Sequence, residues 1–335
     1  MEIGDIVIVE SLIEFKALVF TSLKRFRFLQ MELFILFFVF VLYNIIITTS
    51  FFFLFIITLL YGKIYWNGAE YNGKFSSTSF RKWKGWKYIQ QFLRFYFNLK
   101  IEFEDDCNKY SKSPKLFTVY PHGLYPISIF WYAGLCGPIN KETQQLIYNE
   151  KGELPFIAAT KLFFLIPGIR EFFLMCGIVS ADKKTLLFLL QTHSVFLYPG
   201  GIQEAILPSQ SKQNKLDLYL EHEGFLDVVN TAQIPIVIII CVNENNLFKF
   251  ISQFQFLKKI TIKCFGYPFP TFFWPIPRHV PITIHIGKEQ KNLATTTKSA
   301  FKLSFYQHLK DFLHHIYKEE QLSEELNQKL EQKLK

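Results

Sequence analysis

Residues 234–242 read Ile-Pro-Ile-Val-Ile-Ile-Ile-Cys-Val, a run that places apolar, mostly β-branched side chains on both faces of an extended chain. A strand that is apolar on both faces has to be covered on both sides, as the central parallel strands of α/β proteins are. The run therefore predicts a buried parallel strand.

Shorter apolar runs on either side of it predict further strands, and helical stretches such as Lys183–Gln191 lie between them. Strands that alternate with helices are typical of βαβ units. We therefore expect an α/β domain with a mixed sheet flanked by helices, which spans residues 114–318. The other predicted strands are Leu116–Tyr120, Pro155–Ala159, Ser194–Tyr198 and Ile282–Ile286.

An apolar segment precedes this domain. Leu33 to Tyr61 carries no charged residue, which is more than the ~20 residues that one spanning helix needs and fewer than the ~40 of two. Asn44 and the cluster Thr48–Ser50 could turn the chain near the middle, and basic residues flank both ends. Symmetric basic flanks favour both ends on the cytosolic side. We expect a membrane-embedded helical hairpin at residues 31–62, with a tilted single span or a buried core helix as alternatives.

Three flanking segments complete the chain. Residues 1–30 predict an amphipathic segment that lies on a surface, and residues 63–113 a linker rich in basic and aromatic side chains. Within this linker, Ser79–Asn98 interleaves Lys and Arg with Trp, Tyr and Phe, which favours the headgroup region of a membrane. Residues 319–335 place leucines four apart among charges, which predicts a solvated amphipathic helix or one that docks on a partner.

The amino-acid composition limits the classes of partner that the chain is expected to bind. The net charge is +9, which suits anionic lipid headgroups, the phosphates of coenzyme A (CoA) or nucleic acid. The apolar segment favours lipid and CoA, and we predict no nucleic-acid partner. The 5 cysteines are scattered with no C-x-x-C pair, so we predict neither a zinc site nor a disulfide framework.

The first candidate for chemistry is Tyr120-Pro-His-Gly123, at the end of a predicted strand. Reactive groups of α/β sheets gather beyond the carboxyl ends of the strands. His122, between a proline and a glycine, is placed as a general base that could activate a hydroxyl nucleophile. A structural histidine in an ordinary turn is the alternative.

The second candidate is Tyr198-Pro-Gly-Gly-Ile-Gln-Glu204, also a strand that enters a turn. Gly200 and Gly201 could expose main-chain N–H groups to an oxyanion or a phosphate, or they could form an ordinary turn with Glu204 as a helix-capping residue. Arg170, after a Pro-Gly turn, could hold a phosphate or pair with Glu171 on the surface.

These blocks, with Glu223-Gly-Phe225 and Val242-Asn-Glu-Asn245, occur in an order that resembles the type-2 diacylglycerol acyltransferase and monoacylglycerol acyltransferase family. The resemblance covers roughly Leu116 to Lys318. It implies a membrane-bound O-acyltransferase with a glycerolipid-acyltransferase-like fold. Its substrates would be acyl-CoA and a mono- or diacylglycerol, with no permanently bound cofactor and no metal. The family also implies membrane lipids as partners and the endoplasmic reticulum membrane as the location, with mitochondrial or other internal membranes as the alternative.

The family's presumed catalytic histidine falls on His122, and its first histidine falls on Tyr120. Its Gly-Gly-x-x-Glu block falls on Gly200, Gly201 and Glu204, so we expect Glu204 to orient His122 and the glycines to donate to the oxyanion. We expect Arg170 and Gly123 to contact acyl-CoA or a headgroup. Wider relatives carry a carboxylate five residues after the histidine, where this chain has Ile127.

Where the family has two cations in its Arg-Lys-Gly-Phe block, this chain reads His222-Glu223-Gly224-Phe225. Such a departure keeps open the alternative of a catalytically silent subunit. In that case the fold would serve a structural or lipid-binding role in a membrane protein complex.

Overall fold

The computed structural model describes residues 3–106, 109–123, 125–129, 153–206, 215–248, 277–291, 297–318 and 321–334. The chain forms two compact units, Met1–Asn67 and Gly68–Lys335. They are described separately below.

The first unit is one helix, α1, at Ile3–Tyr65. Its segment Ile35–Lys63 is long and apolar enough to cross a membrane, and none of its most apolar window is buried. The exposed apolar side chains exclude the buried core helix. The predicted amphipathic segment, residues 1–30, forms the first half of α1, and its side chains lie outside the described residues.

The predicted hairpin is wrong, because α1 continues through the polar residues that could have turned the chain. The Asn44 amide donates to the Phe40 carbonyl at 2.7 Å, and the Thr49 hydroxyl donates to Ile45 at 2.8 Å. Each side chain thus bonds to a carbonyl one turn earlier, and its polar group is satisfied without a break in the helix.

The second unit is built on a mixed 7-stranded sheet with the strand order β1-β7-β6-β2-β5-β3-β4. All described strand pairs are parallel except β6 with β7, which is antiparallel. This confirms the predicted α/β fold. The strands are β1 Lys100–Phe103, β2 Leu116–Tyr120, β3 Phe156–Ala159, β4 Ile178–Ser180, β5 Val195–Leu197, β6 Ile236–Val242 and β7 Thr283–Gln290.

Helices cover both faces of this sheet, and two hydrophobic clusters result. One cluster joins residues on one face of β2, β5 and β6 to four helices, and the other joins their opposite faces to four further helices and to turns. Helices of the first face are α6 Lys183–Leu189, α8 Gly224–Ala232, α9 Lys298–Ile316 and α10 Glu324–Leu334; those of the second are α2 Thr78–Arg81, α3 Gly85–Tyr96, α4 Ile127–Ile129 and α5 Ile169–Met175. A short helix, α7 Gly201–Ile206, follows β5.

The central strand β2 determines where the site lies. It pairs in parallel with β5, where Thr118 faces Leu197, and with β6, where Tyr120 faces Ile240. The carboxyl ends of β6, β2 and β5 are therefore adjacent at one edge of the sheet. The residues that follow these strands are brought together there.

Every predicted strand is present, but two strands were missed. β1 belongs to residues 63–113, which the sequence presented as an interfacial linker, and it pairs with β7 at the edge of the sheet. β4 is only 3 residues long. The linker is thus partly structural, since Trp86 and Phe97 are also buried in the core.

The prediction of a solvated or partner-docking tail is also wrong. Leu322, Leu326 and Leu330 are at most 1% exposed and pack into the core of this unit. Lys329 and Lys333 on α10 pair with Asp217 and Glu223 at 3.7 and 2.9 Å. The charges between the leucines therefore bind this domain instead of only facing solvent.

Candidate active site

His122 follows β2 at the edge where three parallel strands end. Its ring lies edge-on to the ring of Tyr198, which follows β5, with centroids 5.0 Å apart. The sequence therefore predicted correctly that the histidine and the double-glycine turn share one site. Tyr198 stands in the motif that the sequence singled out, although it was given no role.

The imidazole of His122 is fixed in one tautomer. Its Nδ1 lies 2.7 Å from the carbonyl oxygen of Gly123. A carbonyl oxygen only accepts, so Nδ1 carries the proton and Nε2 carries the lone pair. Nε2 has no hydrogen-bond partner within the described residues.

Burial lowers the pKa of His122 from its ordinary value of 6.5, and the hydrogen bond to Gly123 partly offsets this effect. The ring is therefore neutral at pH 7, the state that a general base requires. The lowered pKa comes from desolvation, which disfavours the imidazolium form.

Glu204 lies against His122, but it does not bind the ring. Its Oε2 accepts a hydrogen bond from the main-chain N–H of His122 at 2.8 Å, and its Oε1 accepts one from the N–H of Tyr219 at 3.3 Å. Glu204 was expected to orient His122, and its described contact with that residue is to the main chain and not to the ring. The carboxyl group instead holds the main chain on which the ring is carried.

Burial raises the pKa of Glu204 to about 8, although the two main-chain hydrogen bonds act in the opposite direction. Only 1% of the residue is exposed. At neutral pH the group is therefore mostly protonated. It cannot act as a full negative charge beside His122, as the aspartate of a catalytic triad does.

Glycine is required at the two positions of this turn for different structural reasons. A Cβ on Gly200 would lie 2.5 Å from the carboxyl group of Glu204, so the side chain of Glu204 occupies the space that another residue would need. Gly201 has a φ of +53°, a main-chain conformation that residues with a side chain rarely adopt. The Gly201 N–H donates to the Tyr198 carbonyl at 3.1 Å. The N–H of Gly200 has no acceptor within the described residues.

Arg170 is not placed to bind a phosphate. Its guanidinium donates to Glu70 at 2.7 Å and to Glu171 at 3.0 Å, and only 1% of its side chain is exposed. A buried guanidinium that is paired in this way fixes packing, and the pairing with Glu171 that the sequence offered as the alternative is present. Gly123 is packed against Glu244.

The two departures from the family pattern make different contacts. His222 reaches the double-glycine turn, since its Nδ1 lies 3.1 Å from the carbonyl oxygen of Pro199, whereas Tyr120 and Glu223 contact the core and neighbouring helices. Tyr120 is 1% exposed and belongs to the core cluster on the face of α8, α9 and α10. Glu223 pairs with Lys302 and Lys333 at 2.6 and 2.9 Å and accepts from the Tyr306 hydroxyl at 3.2 Å. It therefore joins helices α9 and α10 to the start of α8.

One residue of the site was missed. Glu244, in the first turn after β6, is 1% exposed, and its Oε1 accepts from the Ser128 N–H at 3.2 Å. The motif Val242–Asn245 contained it, but the sequence did not indicate its role. The register of β6 with β2, which places this turn beside His122, was the missing information.

A comparison with known protein families matches the part of the chain that contains this site. A family model described as diacylglycerol acyltransferase matches residues 43–273, more than half of the chain. These residues include the ends of β2, β5 and β6 and all the site residues named above.

Similarity to individual proteins agrees with the family match. The chain is 23% identical to human (Homo sapiens) 2-acylglycerol O-acyltransferase 1 over 210 residues, which cover 61% of this chain and 58% of the relative. It is 27% identical to Mus musculus diacylglycerol O-acyltransferase 2-like protein 6, over 48% of this chain and 44% of the relative. For Homo sapiens diacylglycerol O-acyltransferase 2 the identity is 23%, over 55% and 45%. The chain therefore spans about half the length of these relatives.

Among solved structures, the chain is similar to the 1-acyl-sn-glycerophosphate acyltransferase PlsC from Thermotoga maritima. The TM-score is 0.39 at 9% identity, and the match covers 70% of this chain and 83% of that chain.

Proposed function

Because this chain belongs to the diacylglycerol acyltransferase family, we propose that it is a membrane-bound O-acyltransferase that transfers a fatty acyl group from acyl-CoA to a mono- or diacylglycerol. The observation that carries the proposal is the tautomer of His122, whose Nδ1–H is bound by the Gly123 carbonyl and whose Nε2 is free within the described residues. A neutral imidazole with a free Nε2 can accept a proton from an alcohol.

In the proposed reaction, Nε2 of His122 takes the proton of the acceptor hydroxyl while the hydroxyl oxygen attacks the thioester carbonyl. The tetrahedral intermediate carries an oxyanion, to which the N–H of Gly200 donates. When the intermediate collapses, the carbon–sulfur bond breaks, and the CoA thiolate leaves with the proton held by His122. An ester and free CoA result. No acyl-enzyme, metal or permanently bound cofactor takes part.

Three groups keep the base in place for this reaction. Glu204 holds the main chain of His122, the ring of Tyr198 packs edge-on against the imidazole, and the Gly123 carbonyl sets the proton on Nδ1. An alcohol is a weak nucleophile at neutral pH, and a positioned base contributes ~10²–10⁴-fold to such reactions. The arrangement supplies that base.

The test is the His122→Ala variant with His314→Ala, an exposed histidine on α9, as the matched control. We expect His122→Ala to lower kcat by ~10²–10⁴-fold with acyl-CoA and diacylglycerol, while the melting temperature stays close to that of the wild type. The control should keep its activity. A folded His122→Ala protein with wild-type acyl transfer would refute the proposal. A wild-type protein that is inactive on a panel of acceptors would favour a silent subunit.

The proposed lipid partners are supported by α3. Its inner side buries Trp86, whereas Tyr88, Phe92 and Phe95 are 74, 60 and 85% exposed along its outer side. Lys82, Lys84, Lys87 and Arg94 accompany them. Aromatic rings beside cations suit the headgroup region of a membrane, where rings enter the interface and cations meet phosphates.

To test this surface, the double variant Phe92→Ser/Phe95→Ser is compared with Phe188→Ser. Phe188 is 54% exposed on α6, which packs on the opposite face of the sheet. We expect the double variant to raise KM for acceptors in vesicles while kcat in detergent micelles is kept. Equal effects of both variants in vesicles would contradict the assignment.

We further propose the endoplasmic reticulum membrane as the location, supported by family membership and by the apolar segment of α1. Fluorescence microscopy of a tagged full chain beside organelle markers tests this location. A mitochondrial pattern would contradict it.

A further inference from the structure

Glu244 is a second buried carboxyl group beside His122, and the mechanism above does not use it. It follows β6 directly, after Asn243, whose φ of +69° turns the chain back towards β2. Since Tyr120 and Ile240 are paired in register, the turn after β6 lies beside the turn after β2. Glu244 is therefore in contact with the His122 segment.

Glu244 touches this segment at two points. Its Oε1 accepts from the N–H of Ser128, at the start of α4. Gly123 packs against it so closely that a Cβ there would lie 2.9 Å from the Glu244 carbonyl oxygen and 3.2 Å from its Cγ. Glu204 accepts from the N–H of His122, so two acidic side chains, which follow the strands on either side of β2, hold the main chain at His122 and at Ser128.

The contact with Gly123 links Glu244 to the imidazole. The Gly123 carbonyl accepts the Nδ1–H of His122, so the direction of this carbonyl determines the direction of the ring. Gly123 has a φ of +60°, and the main-chain carbonyl group and the Cγ of Glu244 pack against its open side. The carboxyl group of Glu244, which accepts from Ser128, holds this residue against Gly123, and Gly123 in turn holds the ring.

We propose that Glu244 is a positioning residue for the acyl-transfer reaction, which fixes the Gly123 carbonyl and through it the tautomer and direction of His122. The inference rests on the proposed function. It predicts that a change at Glu244 alters the behaviour of His122 as a base, whereas a residue that only fills space would alter stability alone.

The pH dependence of catalysis separates these two roles. The hydrogen bond from Nδ1 to Gly123 raises the pKa of His122 against the lowering effect of burial. If the carbonyl turns away, this contribution is lost and the pKa of His122 falls. Because a base must be neutral to act, the acidic limb of the kcat/KM profile then moves to lower pH. At the same time kcat falls, since the ring is no longer fixed.

The experiment compares Glu244→Leu, Glu244→Gln and the control Glu289→Leu. Glu289 is a matched carboxylate. Its side chain is buried, its Oε2 accepts from the main-chain N–H of Ser111 at 2.7 Å, and its Oε1, like Oε2 of Glu244, has no partner within the described residues. Unlike Glu244, it also lies 3.8 Å from a buried cation, Nζ of Lys115, so its replacement should cost stability. Its partner in register is Val237, near the start of β6, so it lies at the other end of that strand.

We expect Glu244→Leu to lower kcat by ~10²-fold per folded molecule, the typical cost of a small displacement of a reacting group. KM should change little, and the acidic limb should move to lower pH. Glu244→Gln, which keeps the acceptor for Ser128, should restore most of kcat. Glu289→Leu should lower the melting temperature without moving the limb.

Wild-type kcat and an unmoved limb in folded Glu244→Leu would overturn the inference, as would an equal loss of kcat in Glu289→Leu. Failure of the proposed function itself is a different result, namely that His122→Ala remains active. An inactive His122→Ala beside a fully active Glu244→Leu removes only the role of Glu244.

Discussion

Replacement of Glu204 by Gln should change how the stability of the protein depends on pH. Burial raises the pKa of Glu204 from its ordinary value of 4.5 to about 8. Between these values the folded protein holds a proton on this group that the unfolded chain has released. Stability therefore falls as pH rises through this range. An amide of the same shape does not titrate, so Glu204→Gln should lose less stability.

The size of the effect follows from the two pKa values. They differ by 8 − 4.5 = 3.5, and each pKa unit corresponds to roughly 1.4 kcal/mol. The ionisation of Glu204 thus lowers the free energy of unfolding by roughly 5 kcal/mol across this range, an order-of-magnitude value. Burial also raises the pKa of Glu244, to about 7. This group contributes with the same sign, but it is present in both proteins and cancels in the comparison.

The measurement is thermal unfolding of wild type and Glu204→Gln in detergent micelles, followed by tryptophan fluorescence from about pH 5 to about pH 9. Near pH 5 the variant should melt somewhat below the wild type, because the NH2 group of Gln cannot accept one of the two main-chain hydrogen bonds that Glu204 accepts. As pH rises, the melting temperature of the variant should increase relative to that of the wild type. Glu324→Gln, an exposed site on α10, is the control and should follow the wild type. A difference in melting temperature that is independent of pH would refute the reasoning.

Three further variants test the packing around the site. Gly123→Ala should lower both kcat and melting temperature, since a Cβ would strain a φ of +60° and meet the main chain at 2.9 Å; wild-type kcat would contradict this. Leu326→Ala should cost ~2–5 kcal/mol of unfolding free energy, measured by denaturant titration, whereas exposed Leu303→Ala should cost little. Arg170→Ala should lose ~1–3 kcal/mol in the same titration, because the half-buried carboxylates of Glu70 and Glu171 lose the donors of the buried guanidinium. Its KM for acyl-CoA should stay unchanged, and a raised KM would restore the phosphate-binding role.

The sheet was largely predictable because its central strands are unusually uniform. The run ending at Val242 is apolar on both faces, and only a strand covered on both sides accommodates such a pattern. β1 was missed for the opposite reason. Lys100 and Glu102 are exposed while Ile101 and Phe103 are half-buried, so this edge strand resembles the polar segment around it. An alternation over only 4 residues is too short to distinguish an edge strand from a polar linker.

Errors in α1 and in the tail arose from polar residues whose partners the sequence does not show. Asn44 and Thr49 resemble turn residues, yet their side chains bond to carbonyls one helical turn earlier. In the tail, Lys329 and Lys333 resemble solvated charges, yet they pair with acidic side chains of residues 217–223. In both cases the residue type correctly indicated a polar side chain. Its hydrogen-bond or ion-pair partner became known only from the folded chain.

The site shows the same limit, and the consequence is chemical. Ile127 stands where wider relatives carry a carboxylate, and the structure gives the Nδ1 position of His122 to the Gly123 carbonyl instead. A carbonyl fixes the tautomer as a carboxylate does, but it brings no full charge to stabilise an imidazolium. Burial raises the pKa of Glu204 to about 8 and that of Glu244 to about 7, so at pH 7 neither of these two carboxyl groups near the base is fully ionised. A site with little charge suits the proposed acceptor. A mono- or diacylglycerol is itself uncharged, and its transfer from the membrane into a strongly charged site would be unfavourable. The proton that His122 takes up is then held only briefly, since the leaving thiolate is a ready acceptor for it.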